Sequence, residues 1–95
     1  VAAYESMFIL QPELESEAEA EVLDNLQALF QKLGGEVRKI DDWGKKKLAY
    51  EINKFSEGHY YVIQFSGPPN IIPELEHFFR VNDAVIRFII VREDE

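Results

Sequence analysis

Three consecutive lysines, Lys45, Lys46 and Lys47, stand in the stretch GKKKLAYEI (residues 44–52) of a chain whose formal net charge is −8. A run of ammonium groups in an acidic protein suits electrostatic contact with phosphate, which lysine makes as a point charge without reading bases. In an extended segment Lys45 and Lys47 share one face and Lys46 takes the other, so the triplet can straddle or grip a backbone. The same residues on an edge strand discourage edge-to-edge pairing. The residues alone leave these two readings level. Tyr4, Trp43, Tyr50, Tyr60 and Tyr61 lie near the bases and offer flat π faces, the chemistry that stacks on unpaired nucleobases.

Charge is distributed unevenly along the chain. Glu13, Glu15, Glu17, Glu19, Glu21 and Asp24 form an acidic run without a base. Between Glu36 and Lys54, six bases face four acids, a local +2 that leaves −10 for the remainder. A nucleic-acid-binding domain read from charge alone has a pI above about 9; here it is near 4.7. Contact with nucleic acid must therefore be local, with the acidic part turned away or shared with a basic partner.

Catalytic chemistry finds little support. The absence of cysteine removes disulfides, thiolate metal sites and cysteine nucleophiles together. His59 and His77 are the only histidines and neither has a companion at metal-ligand spacing, so both are expected to be ordinary half-exposed residues. There is no G-x-S-x-G elbow, no G-x-G-x-x-G and no P-loop. Asp41 and Asp42 are adjacent, and neighbours on a strand point to opposite faces, so they do not converge. No enzyme, cofactor or metal is expected, and no apolar run approaches the ~20 residues of a membrane span.

The elements that position these residues follow from periodicity. Tyr4 to Leu10 alternates, with Ser6, Phe8 and Leu10 on one side and Glu5, Met7 and Ile9 on the other. A helix follows, with Ser16 and Glu19 as a capping box, a stripe of Val22, Leu23, Leu26, Leu29, Phe30 and Leu33, and Gly34-Gly35 as its stop. Glu36 to Asp42 begins a strand that continues through the lysines, with a bulge or bend at Gly44. Ser56-Glu57-Gly58 reads as a turn into the strand GHYYVIQF. Asn70 caps a second helix with Ile72, Leu75, Phe78 and Phe79 on its apolar face, Asn82-Asp83 ends it, and AVIRFIIV is the last strand.

The order β-α-β-β-α-β predicts an α+β, ferredoxin-like split βαβ domain over 1–95, with its core at about 4–92. Its four-stranded antiparallel sheet carries both helices on one face. Alternation assigns Glu5, Met7, Ile9, Tyr60, Val62, Gln64, Arg87, Ile89 and Val91 to the open face. So apolar a face is expected to meet another macromolecule.

Four stretches in this order, YESMFIL, GKKKLAYEI, EGHYYVIQF and LEHFFRVNDAVIRFIIV, give the chain from Tyr4 to about Arg92 a resemblance to the bacterial-type small-subunit ribosomal protein S-six family. The resemblance implies a structural, non-enzymatic constituent of the small ribosomal subunit without cofactor or metal. It implies binding to the central domain of small-subunit (16S-type) rRNA together with the basic ribosomal protein S-eighteen, as a heterodimer. No membrane and no small-molecule substrate is implied, and the location is the ribosome of a bacterial cytoplasm or a plastid stroma.

Carried onto this sequence, the family's basic-basic-Leu-Ala-Tyr motif falls on Lys46, Lys47, Leu48, Ala49 and Tyr50. Lys45, Lys46 and Lys47 are then expected to contact rRNA phosphate, with Arg87 and Arg92 on the last strand as further contacts. The partner protein is expected near Tyr4, Tyr60, Ile89 and Val91. Two positions depart from the pattern: Glu51 stands where many members have Pro, and Ala2-Ala3 stand where members commonly carry bases. Two other readings of the fold stay open, a stand-alone RRM-like single-stranded RNA binder and a ferredoxin-like regulatory dimerisation module. The RRM signature itself is absent.

Overall fold

A computed structural model describes residues 2–52 and 54–93. Strand β1 (Ala2–Leu10) leads into helix α1 (Ser16–Lys32), strands β2 (Glu36–Ile52) and β3 (Phe55–Gly67), helix α2 (Ile71–Val81) and strand β4 (Val85–Arg92). The sheet order is β2-β3-β1-β4, with every neighbouring pair antiparallel. β1 and β2 therefore run parallel with β3 inserted between them, which is the split βαβ arrangement that the element order predicts.

Strand periodicity decides which side is sealed. Tyr4, Ser6, Phe8 and Leu10 all point to the helix side and are buried. They meet Val22, Leu26 and Phe30 of α1 and Ile71, Leu75 and Phe79 of α2, with Tyr61, Ile63 and Phe65 supplied by β3. Aromatic rings tie the layers: Phe8 lies 5.1 Å from Phe79, and Phe30 lies 4.7 Å from Phe65. The one polar residue in this layer, Ser6, donates its hydroxyl to the Ile89 carbonyl at 2.9 Å, so its burial leaves nothing unpaired.

Helix ends follow the sequence in part. At the end of α1, Gly34 at φ +78 allows Gly35 N–H to donate to Phe30 O (2.8 Å) and Gly34 N–H to Gln31 O, the two bonds of a Schellman stop. The expected capping box does not form. Glu15, not Ser16, is the N-cap and makes no side-chain cap bond, and the Glu19 carboxylate is turned inward to His59 and Tyr61. Asn70 likewise makes no side-chain cap; the first N–H groups of α2 donate instead to the Pro68 and Pro69 carbonyls. The second helix buries Ile71, Leu75 and Phe79, with Ile72 and Phe78 half-buried beside them. Among the described residues, no helix is long and apolar enough to cross a membrane.

The turn between β2 and β3 is displaced from its predicted place. Ser56, Glu57 and Gly58 lie within β3, and the chain reverses at Lys54, which takes φ +70. Gly58 is there for another reason. A Cβ on Gly58 would stand 2.3 Å from Ile9 Cγ2 and 3.3 Å from the Leu10 carbonyl oxygen. Ile9 is β-branched and 4% exposed, so that methyl has little room to move aside. Gly58→Ala and Gly58→Asn are both expected to destabilise the fold by roughly 1–3 kcal/mol through overpacking. The effect should appear as a lower urea midpoint at unchanged slope. Tolerance of both substitutions would rule out the close approach.

Candidate nucleic-acid interface

β2 is an edge strand, and its middle carries the lysines. Asp42 pairs with Tyr61 of β3, but Gly44 pairs with Tyr60, so Trp43 is one residue too many for the ladder. This is the bulge expected at Gly44, whose φ of +76 an L side chain rarely adopts. Beyond it, Lys45 lies opposite His59, Lys46 opposite Gly58 and Lys47 opposite Glu57. Lys45 and Lys47 accordingly share one side of the strand and Lys46 takes the other. All three are exposed, and none forms an ion pair with a described residue. Trp43 is 49% exposed, and the Lys46 ammonium lies 5.0 Å from its ring centroid.

Behind the bulge is a polar cluster that joins α1, β2 and β3. His59 Nδ1 is 3.1 Å from Glu19 Oε2, and its Nε2 is 2.5 Å from Asp42 Oδ1. An ionised carboxylate only accepts, so both contacts are hydrogen bonds when both ring nitrogens carry protons. The His59 ring also stacks on Tyr61 at 4.5 Å, and the Tyr61 hydroxyl donates to Glu19 Oε1 at 2.5 Å. The same Asp42 Oδ1 accepts the Gly44 N–H at 2.8 Å, which fixes the bulge directly. The hydrogen bond from His59 holds the Asp42 carboxyl below its ordinary range; the Gly44 N–H and the His59 charge act in the same direction against partial burial. Burial, followed by the bond to Glu19 and the charges of Glu19 and Asp42, pushes the Tyr61 phenol well above the usual tyrosine value.

The open face of the sheet has the register that alternation predicts, Glu5-Gln64, Met7-Val62 and Ile9-Tyr60 on one side of β1 and Glu5-Val91, Met7-Ile89 and Ile9-Arg87 on the other. The far end of β2 comes over this face. Leu48, Ala49, Tyr50 and Ile52 join Met7, Ile9, Tyr60, Arg87 and Ile89 around a groove of about 290 Å³. The Arg87 guanidinium donates to the Tyr50 hydroxyl and lies 5.8 Å from that ring. The structure thus brings Lys45, Lys46 and Lys47 together but leaves Arg87 and Arg92 on β4, the opposite edge, with Arg87 engaged by Tyr50.

Of the four residues expected on the protein-partner surface, Tyr60, Ile89 and Val91 lie on the open face, the last two nearly half exposed. Tyr4 does not. It has the parity of Ser6 and Phe8, is 7% exposed, and stacks on Phe65 on the helix side at 5.4 Å. Among the described residues, no group of three or more His, Asp or Glu side chains has the geometry to hold a metal ion.

The family model for ribosomal protein S6 matches residues 3–92. The chain belongs to that family. The small ribosomal subunit protein bS6 of Moorella thermoacetica is 41% identical over 97% of this chain and 94% of its own length. That of Heliobacterium modesticaldum is 44% identical over 97% and 96%. The 30S ribosomal protein S6 of Thermotoga maritima has the same fold, with a TM-score of 0.91 at 35% identity over 97% of this chain and 87% of that one.

Within this S6-family chain, sequence reading overlooked the Glu19–His59–Asp42 cluster. His59, expected to be ordinary, is held by carboxylates 40 and 17 residues away in sequence. No local spacing signals such contacts. The bulge at Gly44 was the available clue, since a displaced ladder residue has to be held by something.

Linkage gives the cluster a measurable pH signature. A carboxyl depressed by folding contributes stability that is present above its ordinary value of 3.8 and lost as pH falls through the depressed value. A phenol raised by folding contributes stability that is present below 10.0 and lost as pH climbs. In urea unfolding, the deficit of Asp42→Asn relative to wild type should narrow as pH falls below 3.8. Tyr61→Phe should lose less stability than wild type above pH 10.0. A deficit for Asp42→Asn that does not vary with acid pH would argue against the His59 contact.

Proposed function

We propose that this chain is a structural, non-catalytic constituent of the small ribosomal subunit. In this reading it binds the central domain of 16S-type rRNA as a heterodimer with ribosomal protein S-eighteen. The observation that carries the RNA part is the triplet Lys45-Lys46-Lys47, exposed on an edge strand without carboxylate partners among the described residues, in a chain of net charge −8. Ammonium groups left unpaired in so acidic a chain have a natural counter-charge in phosphate, and lysine supplies affinity there without sequence reading. Membership of the S6 family, and the small-subunit names of its relatives, support the ribosomal setting.

The partner part rests on the open face. Tyr60, Ile89 and Val91 offer apolar surface beside the groove, and a basic partner would offset the acidic charge that otherwise repels RNA. Arg92 adds a further phosphate contact on the β4 edge. Arg87 does so by exchanging the Tyr50 hydroxyl for phosphate.

Binding to a central-domain rRNA fragment, with and without S-eighteen, should be strong only with the partner and should weaken steeply with salt. Replacing Lys45, Lys46 and Lys47 by Ala should flatten the log–log salt slope by about 1 per lysine. Partner-dependent binding with an unchanged slope would return the lysines to edge protection. Equal binding without the partner would favour a stand-alone RNA binder.

A further inference from the structure

We infer that Trp43 is a stacking platform for an unpaired RNA base, held out from the sheet edge by the Gly44 bulge and the cluster behind it. The inference rests on the RNA reading above and adds a contact to it. Four features converge on Trp43. It is the extra residue of the bulge, so no residue of β3 lies opposite it. It is half exposed, although it is the largest apolar side chain in the protein and the only tryptophan. Its neighbours Lys45, Lys46 and Lys47 have no carboxylate partner among the described residues, and the Lys46 ammonium already lies by its ring.

The fourth feature is the anchoring. Asp42 Oδ1 accepts from Gly44 N–H on one side of Trp43 and meets His59 Nε2, while His59 Nδ1 meets Glu19 of α1. The bulge is therefore tied through a side-chain relay to a helix packed on the core. Bulges re-aim a side chain, and this one leaves an aromatic ring exposed beside the Lys46 ammonium. A flat, exposed ring beside the Lys46 ammonium, on a strand that carries two further lysines, matches the two halves of a nucleotide, base and phosphate. A protein partner at the same place would need carboxylates for the lysines as well as an apolar pocket for the ring. The exposed apolar surface suited to a protein lies instead on the open face, around Tyr60, Ile89 and Val91.

The test uses the complex of the full chain, S-eighteen and the central-domain rRNA fragment, with Trp43→Phe and Trp43→Ala beside wild type. Trp43→Ala should weaken RNA binding about 5- to 150-fold, the range for loss of one base stack, with the salt slope unchanged. Trp43→Phe, which keeps a ring, should recover most of the loss. The emission of Trp43, taken as wild-type signal minus that of the Phe variant, should be quenched when RNA is added to the protein pair. That readout does not depend on any destabilised variant. Absence of quenching, together with unchanged affinity for Trp43→Ala in a complex that still shows the lysine-dependent slope, would overturn the stacking role and leave the proposed function standing. Weaker S-eighteen binding by Trp43→Ala in the absence of RNA would assign the ring to the protein interface and overturn it equally. Failure of the wild-type pair to bind the RNA would remove both.

Discussion

The period-two alternation of β1, a strand with hydrogen-bonded neighbours on both sides, is the constraint on which the remaining structure depends. Phe8 and Leu10 must face the helices, and this fixes where Leu26, Phe30, Leu75 and Phe79 can pack. Met7 and Ile9 must then face the other way and become the floor of the groove. A slip of one residue would exchange these sets and drive Glu5 into the core. The same register reaches the pairing of β3 with the lysine-bearing edge strand, because it sets Ile9 against Gly58 and so forbids a side chain there. β3, held in this way, presents His59 and Tyr61 to α1.

The bulge at Gly44 converts that register into a surface. Without the extra residue, the parity of Asp42 would carry Lys46 to the helix side and Lys45 and Lys47 to the open side. With it, Lys46 takes the open side and the other two reverse. One inserted residue thus inverts the assignment of three charges, and strain at φ +76 is avoided only because the residue is glycine. The position is then secured by Asp42, whose one oxygen receives both the Gly44 amide and the His59 ring. Charge-assisted bonds of this kind are stronger than neutral ones. Here they restrain backbone rather than cover a core.

This arrangement explains what sequence could and could not disclose. Alternation and helical periodicity are local, and they gave β1, the α1 stripe, the Schellman stop at Gly34-Gly35 and the membership of the open face. The capping box failed because the N-cap falls on Glu15 and the Glu19 carboxylate has another use. Glu19 has the spacing of a cap, but tertiary packing offers it His59 and Tyr61, which are invisible at a distance of three residues. Gly58 was misread as a turn for a related reason, since a glycine required by close approach looks like one required by φ. Tyr4 was misassigned even though its parity with Phe8 was legible. The lysines and the Gly44 bulge could be read directly, whereas the cluster that supports them could not.

The acidic composition looks unfavourable for an RNA-facing protein until it is mapped onto the fold. Glu13, Glu15, Glu17, Glu21 and Asp24 are exposed in and just before α1, which covers the helix side of the sheet. Glu19, the member of the run turned inward, is the one that holds His59. The open face lies on the opposite side, and the lysines stand on the edge strand. Potentials from exposed charges are largely screened beyond a Debye length of about 8 Å at physiological salt. Net charge alone does not set the field met at β2, where Lys45, Lys46 and Lys47 are grouped. What it does impose is orientation: a polyanion is repelled from the helix side and has a low-repulsion approach along the lysine edge. The acidic helix selects which side of the molecule a polyanion can reach, and the inward-turned Glu19 helps hold the bulge it would meet there.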